Sequence, residues 1–408
     1  MRRHVGIATA ALSAGALLTS AACSGAPESV PPAAAVATSG TPSPGATVRD
    51  LTPAVAEQLD KAVTDTLRQA GVPGVIVGLW IPGKGSYVRA FGVADKSSGA
   101  PMSDGLRMRI GSETKTFTAT AVLRLVDEGK VGLDDTVSKY VEGVPNGDRI
   151  TLRQLAGMRS GLYPYTDDPG FVKAFLSDPD RRFTPQELLD YAFRHPVGFQ
   201  PGQKFQYSNT NAILLGLVVE KASGQRFGDY LKQHVLEPSR LDNTLFPTGA
   251  EFPQPHAHGY TTQTPDGQVA DATHWDPSWA WSAGAMISDL SDLRAWARIA
   301  ATGTLLKPAT QAQRLRTLPT GYAGTGYGLG IFTNHGWIGH NGSLPGYQSV
   351  TVYLPSAEAT LVILNNTDTP YEGNENSTLF AKAVTSIVTP SNVYDLPPTP
   401  PSTASPSR

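Results

Sequence analysis

Ser112-Glu113-Thr114-Lys115 is the stretch that says most about the fold, and it opens a helical run. No other lysine in the chain has a serine three positions before it. Residues three apart on a helix share a face, so this spacing places an amine beside a hydroxyl. Burial lowers the pKa of a lysine, and a helix N-terminus favours negative charge. The stretch therefore predicts a serine nucleophile paired with a lysine base.

Two further motifs follow in a fixed order, Tyr207-Ser208-Asn209 and His340-Asn341-Gly342. The first adds a phenol and a carboxamide, and the second adds an imidazole and a glycine. Each motif alone is a weak signal. Together with the first stretch they supply a nucleophile, a base, a proton relay and a substrate clamp, which are the parts of an acyl-transfer site.

Apolar periodicity predicts the elements around these motifs. The helix that begins at the first motif is expected over 116–128, and apolar residues nearly all round it predict that it is buried. Further helices are expected over 53–70, 185–194, 211–222 and 379–388, and strands over 74–81, 86–93, 348–354 and 360–365. Strands and helices at the two ends of the chain, with helices between, predict an α/β fold. We expect an antiparallel β-sheet flanked by helices and a mainly helical subdomain, with the active site in the cleft between them.

The ordered motifs resemble those of the serine β-lactamase and penicillin-binding-protein superfamily. The resemblance covers roughly residues 51–388. It is greatest to class C β-lactamases, D-Ala-D-Ala carboxypeptidases of the same type and their esterase relatives. Pro201-Gly202-Gln203-Lys204-Phe205 before the second motif and Tyr327-Gly328-Leu329-Gly330 before the third add to it. Tyr-x-Asn and His-x-Gly stand here where other members have Ser-Asp-Asn and Lys-Thr-Gly.

The resemblance implies a role for each of five catalytic residues. Ser112 forms the acyl-enzyme, Lys115 takes its proton, and Tyr207 transfers that proton to the leaving group. Asn209 is expected to hydrogen-bond Lys115 and the amide of the substrate. His340 is expected to support the Tyr207 hydroxyl or an anion of the substrate.

The resemblance also implies a set of substrate contacts. Gly342 is expected to let the substrate approach the strand closely. The backbone N–H groups of Ser112 and Ser343 are expected to form the oxyanion hole. Three aromatic residues are equally compatible with lining the cleft or with belonging to the core or rim, and these are Tyr165, Trp279 and Trp281.

Composition and missing motifs exclude several other classes of protein. The chain has 408 residues, of which 40% are hydrophobic and 17% charged, so it can bury a large core. A net charge of −2 gives no electrostatic case for binding nucleic acid. His256-Ala257-His258 lacks the further ligands of a metal motif, and no phosphate-binding glycine loop is present. We expect no cofactor and no metal, and a small-molecule or peptide substrate.

The ends of the chain differ in composition from its middle. Residues 1–22 have the charged start and apolar stretch of a secretory signal peptide. Cys23, the only cysteine, follows directly and predicts lipidation and anchoring to the outer face of the cell membrane, with secretion as the alternative. Residues 23–48 predict a disordered tether and 391–408 a disordered tail. The hydrolase domain is therefore expected over 49–390, in the cell envelope.

The motifs leave the acyl group and its acceptor open among a β-lactam, a D-Ala-D-Ala peptide and an ester. A carboxypeptidase must hold a terminal carboxylate, yet residues 331–336, just before the third motif, contain no Arg or Lys. This favours an ester or neutral amide, unless a protonated His340 carries the positive charge. The alternative to an enzyme is a catalytically silent lipoprotein that binds penicillin or peptidoglycan.

Overall fold

Helices and strands account for about half of residues 48–397, the part of the chain that the computed structural model describes. The helices, in chain order, are α1 (Pro53–Ala70), α2 (Thr114–Asp127), α3 (Leu152–Ala156), α4 (Pro169–Ser177), α5 (Pro185–Phe193), α6 (Asn209–Ser223), α7 (Phe227–Leu231), α8 (Glu237–Ser239), α9 (Trp281–Gly284), α10 (Leu290–Thr302), α11 (Pro308–Arg314) and α12 (Asn376–Val388). The strands are β1 (Gly74–Ile81), β2 (Gly85–Gly92), β3 (Met108–Arg109), β4 (Tyr260–Thr261), β5 (Ala270–Asp271), β6 (Ile287–Ser288), β7 (Leu318–Pro319), β8 (Thr325–Tyr327), β9 (Phe332–Asn334), β10 (Trp337–Leu344), β11 (Tyr347–Leu354) and β12 (Ala359–Asn365).

Eight strands form the main sheet, in the order β2-β1-β12-β11-β10-β9-β8-β7. All neighbouring strands in it are antiparallel. β1 is paired on one side with the next strand in the chain and on the other with the last one, since Val75 lies opposite both Phe91 and Asn365. The predicted antiparallel sheet flanked by helices is confirmed.

The sheet is covered on both faces, and alternate side chains of β1 point into two different apolar clusters. Val75 and Val77 of β1 belong to the apolar cluster under α1 and α12. Ile76, between them, points the other way and joins the core beneath α2, α6 and α10. Because successive side chains of a strand face opposite sides, an unbroken apolar run is what a doubly covered strand requires.

α2 is the buried helix at the centre of the second layer, as its sequence predicted. Its polar side chains are used to fix its neighbours. Thr118 Oγ1 donates a hydrogen bond to the Ser282 carbonyl at 2.7 Å, which attaches α9. Trp296 Nε1 of α10 donates to Thr116 Oγ1 at 2.7 Å, and its ring stacks on Phe117 at 3.9 Å. These contacts fix the helix start where the first motif lies.

Most predicted elements lie within a few residues of their observed bounds, and the tail is the exception. The sequence predicted disorder from residue 391, whereas residues 391–397 pack on the domain. The Tyr394 N–H donates to Thr385 Oγ1 at 2.9 Å, and Asp395 and Asn334 exchange two hydrogen bonds. The Pro-rich composition concealed these side-chain partners. Residues 398–408, the predicted signal peptide and nearly all of the predicted tether lie outside the described residues.

Candidate active site

Ser112 and Lys115 meet at the start of α2. Ser112 lies in a single 3-10 turn, Gly111–Glu113, and Lys115 lies in the first turn of the helix that follows. The Ser112 Oγ and Lys115 Nζ atoms are 2.9 Å apart. Lys115 Nζ also donates a hydrogen bond to the Ala283 carbonyl of α9 at 2.7 Å. The predicted pair is therefore within hydrogen-bonding distance.

Burial determines the protonation state of the Lys115 amine. The residue is 2% exposed, and no carboxylate forms a salt bridge with it among the described residues. Desolvation therefore lowers its pKa well below the ordinary lysine value. A neutral amine that donates to Ala283 keeps its lone pair for the Ser112 hydroxyl proton. This arrangement can generate a serine nucleophile near neutral pH.

Tyr207 lies just before α6, with its ring beneath the Lys115 amine, and Nζ is 4.8 Å from the ring centroid. Its hydroxyl is buried and has no hydrogen-bond partner among residues 48–397. Burial raises the pKa of this phenol, and nearby Ser112 opposes part of the rise. A protonated, unpartnered hydroxyl beside the nucleophile has the properties that a proton relay needs. Its relay role remains a prediction.

Asn209 is the first residue of α6 and lines the same pocket as Ser112. The predicted hydrogen bond between Asn209 and Lys115 is not present in the described structure, because the amine is engaged by Ser112 and Ala283. Asn209 is thus placed for contact with a bound molecule. That substrate contact remains a prediction.

His340 lies on β10, is buried, and is held at both ring nitrogens. Its Nδ1 is 2.6 Å from the Asn341 carbonyl, which can only accept, so Nδ1 carries the hydrogen. Nε2, 3.2 Å from the Tyr327 hydroxyl, then accepts from that hydroxyl. Burial, with a smaller contribution from Lys115, lowers the pKa of His340 to about 3. The imidazole is therefore neutral at physiological pH.

This finding contradicts the expectation that a protonated His340 could hold a carboxylate. It also places His340 differently with respect to Tyr207. The two ring centroids are 6.1 Å apart, and the hydroxyl that His340 contacts belongs to Tyr327. Tyr327 therefore links the third motif to the aromatic wall of the site, a role that the sequence did not predict.

The expected oxyanion hole is supported by the backbone around Ser343. Leu344 and Tyr347 flank a two-residue turn, and hydrogen-bonded and non-hydrogen-bonded pairs alternate from there. The Ser343 N–H therefore points away from β11, towards Gly111. Gly111 has φ +54, and a Cβ there would lie 2.6 Å from the Ser343 nitrogen. Only glycine permits this close approach of the segment that carries Ser112 to the Ser343 peptide group.

Gly342 also allows a close approach within the protein, and the predicted approach of a substrate at Gly342 remains a prediction. A Cβ on Gly342 would lie 1.9 Å from the Ile110 carbonyl oxygen. The absence of a side chain thus lets β10 pack directly against the segment that carries Ser112. The site requires this glycine for its assembly.

A cavity of about 530 Å³ opens onto these groups, and we call it the Ser112 pocket. Four of the side chains that line it are aromatic, and these are Phe205, Tyr207, Tyr322 and Phe332. The other lining residues are Ser112, Gln206, Asn209, Thr320, Thr325, Asn341, Ser343, Glu375, Leu396 and Pro397. The pocket lies where the main sheet, the start of α2, the segment before α6 and the start of α12 meet. It is the cleft that the sequence predicted.

The comparisons with known proteins agree with this geometry. Residues 59–385 match the family model described as Beta-lactamase, a span that covers most of the chain. The chain belongs to the beta-lactamase family. This beta-lactamase family protein is 27% identical over 327 residues to Protein flp of Staphylococcus aureus (strain MW2), which covers 77% of this chain and 64% of flp. The chain thus spans less than two thirds of the length of that relative.

Two solved structures are also similar to this beta-lactamase family protein. The first is a D-stereospecific amidohydrolase from Streptomyces sp., with 32% identity and a TM-score of 0.69, over 77% of this chain and 94% of that one. The second is the D-amino acid amidase from Ochrobactrum anthropi SV3 complexed with D-phenylalanine. It has 26% identity and a TM-score of 0.72, over 82% of this chain and 99% of that one.

Three predicted aromatic residues of this beta-lactamase family protein lie away from the Ser112 pocket. Tyr165 is buried, and its hydroxyl donates to the Trp279 carbonyl at 2.6 Å. Trp279 packs against Phe175 at 5.2 Å in the helical core. Trp281 lies against Phe227 at 5.3 Å and faces a different cavity. Aromatic side chains do line the cleft, but they come from other parts of the chain.

Sequence reasoning missed several residues that line or support the pocket. Glu375 and Asn341 are hydrogen-bonded to each other in its wall, and Leu396 and Pro397 belong to the segment predicted to be disordered. Tyr327 carried a signal, because it opens a stretch already noted for its resemblance. Glu375 carried none, since a single carboxylate before a helix is common on a surface.

The remaining predictions concern a membrane and a metal. No helix within residues 48–397 is long and apolar enough to cross a membrane, and no group of metal-binding side chains occurs in that range. Cys23, the predicted lipidation site, lies outside the described residues.

Proposed function

We propose that this protein is a serine hydrolase that cleaves amide or ester bonds through an acyl-enzyme on Ser112. The observation that carries the proposal is the 2.9 Å approach of the buried Lys115 amine to the Ser112 hydroxyl. The amine takes the hydroxyl proton as Oγ attacks the carbonyl carbon. The developing negative charge is stabilised by the N–H groups of Ser112 and Ser343.

Tyr207 would complete the first half-reaction. Its hydroxyl, which lies near Ser112, passes the proton from the Lys115 amine to the leaving amine or alcohol. Water then attacks the ester carbonyl of the acyl-enzyme, and the same groups return the proton to the Ser112 oxygen. His340 stays neutral throughout, so its contribution is to hold Tyr327 rather than to supply charge.

Amides and esters of D-amino acids are the substrates that we propose. A carboxylate-bearing substrate, such as a D-Ala-D-Ala peptide or a penicillin, would meet no Lys, Arg or His among the residues that line the pocket. An unpaired carboxylate in an apolar cleft is penalised. The similarity to a D-stereospecific amidohydrolase and to a D-amino acid amidase also supports this choice. The resemblance to class C enzymes then reflects a shared mechanism rather than shared β-lactam substrates.

The test is intact-mass analysis after mixing the protein with D- and L-phenylalaninamide, p-nitrophenyl acetate, penicillin G and a D-Ala-D-Ala peptide. We expect release of ammonia from the D-amide, hydrolysis of the ester, and slow acylation by the penicillin. Ser112→Ala should abolish all three, with loss of turnover on the order of 10⁶-fold. Unchanged labelling of Ser112→Ala would refute the assignment of the nucleophile.

The alternative to the proposed serine hydrolase is a catalytically silent binding protein. Such a protein would bind penicillin or peptidoglycan without turnover of any amide or ester. The buried Lys115 amine and the unpartnered Tyr207 hydroxyl favour an enzyme, because both are costly to bury without a function.

We also propose that the protein is exported and anchored by lipid on Cys23. The support is the sequence of residues 1–23 alone. Wild-type protein should fractionate with membranes, and Cys23→Ala should accumulate as a precursor or as a soluble secreted form. A soluble wild-type protein that begins at an unmodified Cys23 would contradict the anchor and leave secretion.

A further inference from the structure

Glu375 is the only charged side chain among the residues that line the Ser112 pocket. It is half-buried at the residue before α12. Its Oε2 accepts a hydrogen bond from Asn341 Nδ2 at 2.7 Å, and this is the only hydrogen bond to the carboxylate among residues 48–397. No Lys, Arg or His within that range forms a salt bridge with it. A carboxylate with no cation and a free oxygen therefore faces the pocket.

The position of Glu375 would normally give it a structural use, but that use is absent here. A residue at a helix N-terminus commonly caps the first backbone N–H groups. The Glu375 side chain makes no capping hydrogen bond. Gln348 of β11 performs this task instead, since its Oε1 accepts from the N–H groups of Asn376 at 2.8 Å and Ser377 at 3.4 Å. Stability of α12 thus does not account for the carboxylate.

Glu375 brings the one negative charge to a pocket whose other lining residues are uncharged. Burial raises the pKa of this carboxyl, and the Asn341 hydrogen bond opposes the rise. Burial raises the pKa of Tyr207 and of Tyr394, and the nearby Glu375 carboxylate adds to both rises. No cation contributes at the carboxyl. An anionic ligand would therefore be repelled, and a cationic one would supply the missing partner.

The walls beside the carboxylate fit an ammonium attached to an apolar body. Phe205, Tyr207, Tyr322 and Phe332 present aromatic surfaces, which attract cations and bury apolar groups. Asn341 holds one carboxylate oxygen in place and leaves the other for a ligand. The Ser112 hydroxyl lines the same cavity. A ligand bound by its ammonium can thus place a carbonyl group near the nucleophile.

We propose that Glu375, positioned by Asn341, binds the free α-ammonium group of the substrate. The substrates would then be unblocked aminoacyl amides or esters, and acyl groups that carry a carboxylate or a blocked amine would be disfavoured. This inference rests on the proposed hydrolase function and adds the chemical group by which the pocket selects among its substrates.

The kinetic test compares two substrates that differ only at the amine, D-phenylalanine p-nitroanilide and its N-acetyl derivative, with p-nitrophenyl acetate as a small neutral ester. The full-length wild type should prefer the free amine by at least about tenfold in kcat/KM. Glu375→Gln keeps the size and can still accept from Asn341. It should lower kcat/KM for the free amine by about 10–100-fold, mainly through KM, and leave the ester within about twofold.

Glu372→Gln is the matched control, because Glu372 is exposed in the same segment and does not line the pocket. All three activities should be unchanged in it. Equal losses on all three substrates in Glu375→Gln would show a structural role and overturn the proposal. A wild type that prefers the N-acetyl substrate would overturn it as well.

A binding measurement separates this proposal from the proposed function. Calorimetry on Ser112→Ala protein with D-phenylalaninamide should show binding that weakens at least about tenfold when Glu375→Gln is added. N-acetyl-D-phenylalaninamide should not distinguish the two proteins. If the wild type turns over none of the substrates while ligand binding still depends on Glu375, the hydrolase is refuted and the ammonium site is kept. If the wild type turns over substrate but neither KM nor binding changes in Glu375→Gln, the ammonium site is refuted and the hydrolase is kept.

Discussion

Two cavities of similar size differ in what their polar groups do. The Ser112 pocket has a volume of about 530 Å³, and a second cavity of about 580 Å³ lies beside α7 and α8. We call the second one the helical cavity. Arg226 and Asp229 in its wall are exposed and form an ion pair with each other at 2.7 Å. In the Ser112 pocket, the Lys115 amine and the Tyr207 hydroxyl are buried.

The comparison shows that size does not identify an active site. Exposed ion pairs contribute little to stability. Burial changes the pKa of an amine or a phenol, and a hydroxyl without a partner is available for a reaction. The following changes test whether this difference in burial is what separates the two cavities.

The largest expected effect comes from a matched pair of lysine substitutions. Lys115→Ala removes the base and should lower kcat/KM for p-nitrophenyl acetate on the order of 10⁵-fold or more. Lys232→Ala removes an exposed lysine from the wall of the helical cavity and should leave kcat/KM within about twofold. Comparable losses in the two proteins would remove the distinction between the cavities.

The pH dependence of kcat/KM should reveal the buried amine. Activity requires neutral Lys115, so it falls as the pH drops through the pKa of that amine, which burial holds well below the ordinary lysine value. Activity should therefore reach its plateau well before pH 10. His340, with a pKa of about 3, should add no further change between pH 5 and 8. A profile that keeps rising to pH 10 would mean that Lys115 is not desolvated.

Glu113 predicts an effect on stability rather than on rate. Its carboxyl is buried without a hydrogen-bond partner in the described residues, and desolvation raises its pKa to about 8. Between about pH 4.5 and 8 the folded carboxyl is protonated while the unfolded one is ionised, so the free energy of unfolding falls as pH rises. At pH 7 this amounts to about 3 kcal/mol.

Glu113→Gln should remove that dependence on pH. The variant should be more stable than wild type at pH 7 to 8, and the advantage should shrink towards pH 5. Urea unfolding at several pH values measures the difference. If wild type and Glu113→Gln lose stability in parallel as the pH rises, the carboxyl is not the group that titrates.

The smallest effect is expected at the link between Tyr327 and His340. Tyr327→Phe removes the hydroxyl that donates to His340 Nε2 and leaves a buried acceptor without a partner. The free energy of unfolding should fall by about 1–3 kcal/mol. His340→Phe in the same background should cost little more, because the two residues act as a unit. Additive losses in a double-mutant cycle would show that the hydrogen bond is not formed in solution.

The parts of the site that the sequence predicted are those fixed by local geometry. Ser112 and Lys115 are three residues apart at a helix start, so their contact follows from helical spacing. Residues 74–81 and 360–365 are apolar runs, as expected for strands of a sheet that is covered on both faces. These features need no knowledge of distant contacts.

The parts that were missed depend on contacts between distant segments. His340 is neutral because the fold buries it against Tyr327, and its sequence neighbours do not indicate this. Gln348 of β11 caps the start of α12, so the Glu375 side chain is not needed there and faces the pocket. The segment 391–397 is ordered by partners on β9 and α12. Composition and periodicity describe one segment at a time and cannot predict such pairings.

The pairing of β1 with β12 has a consequence for the order in which the chain folds. Val75 cannot meet Asn365 until nearly the whole domain has been synthesised. β1 therefore stays open on one edge, with only its hairpin with β2 formed, while the intervening segments emerge. Closure over so long a loop is slow, because its entropic cost precedes any gain from pairing. A nascent chain of this design reaches its native sheet only on completion, and premature termination before β12 would leave an unpaired apolar edge open to aggregation.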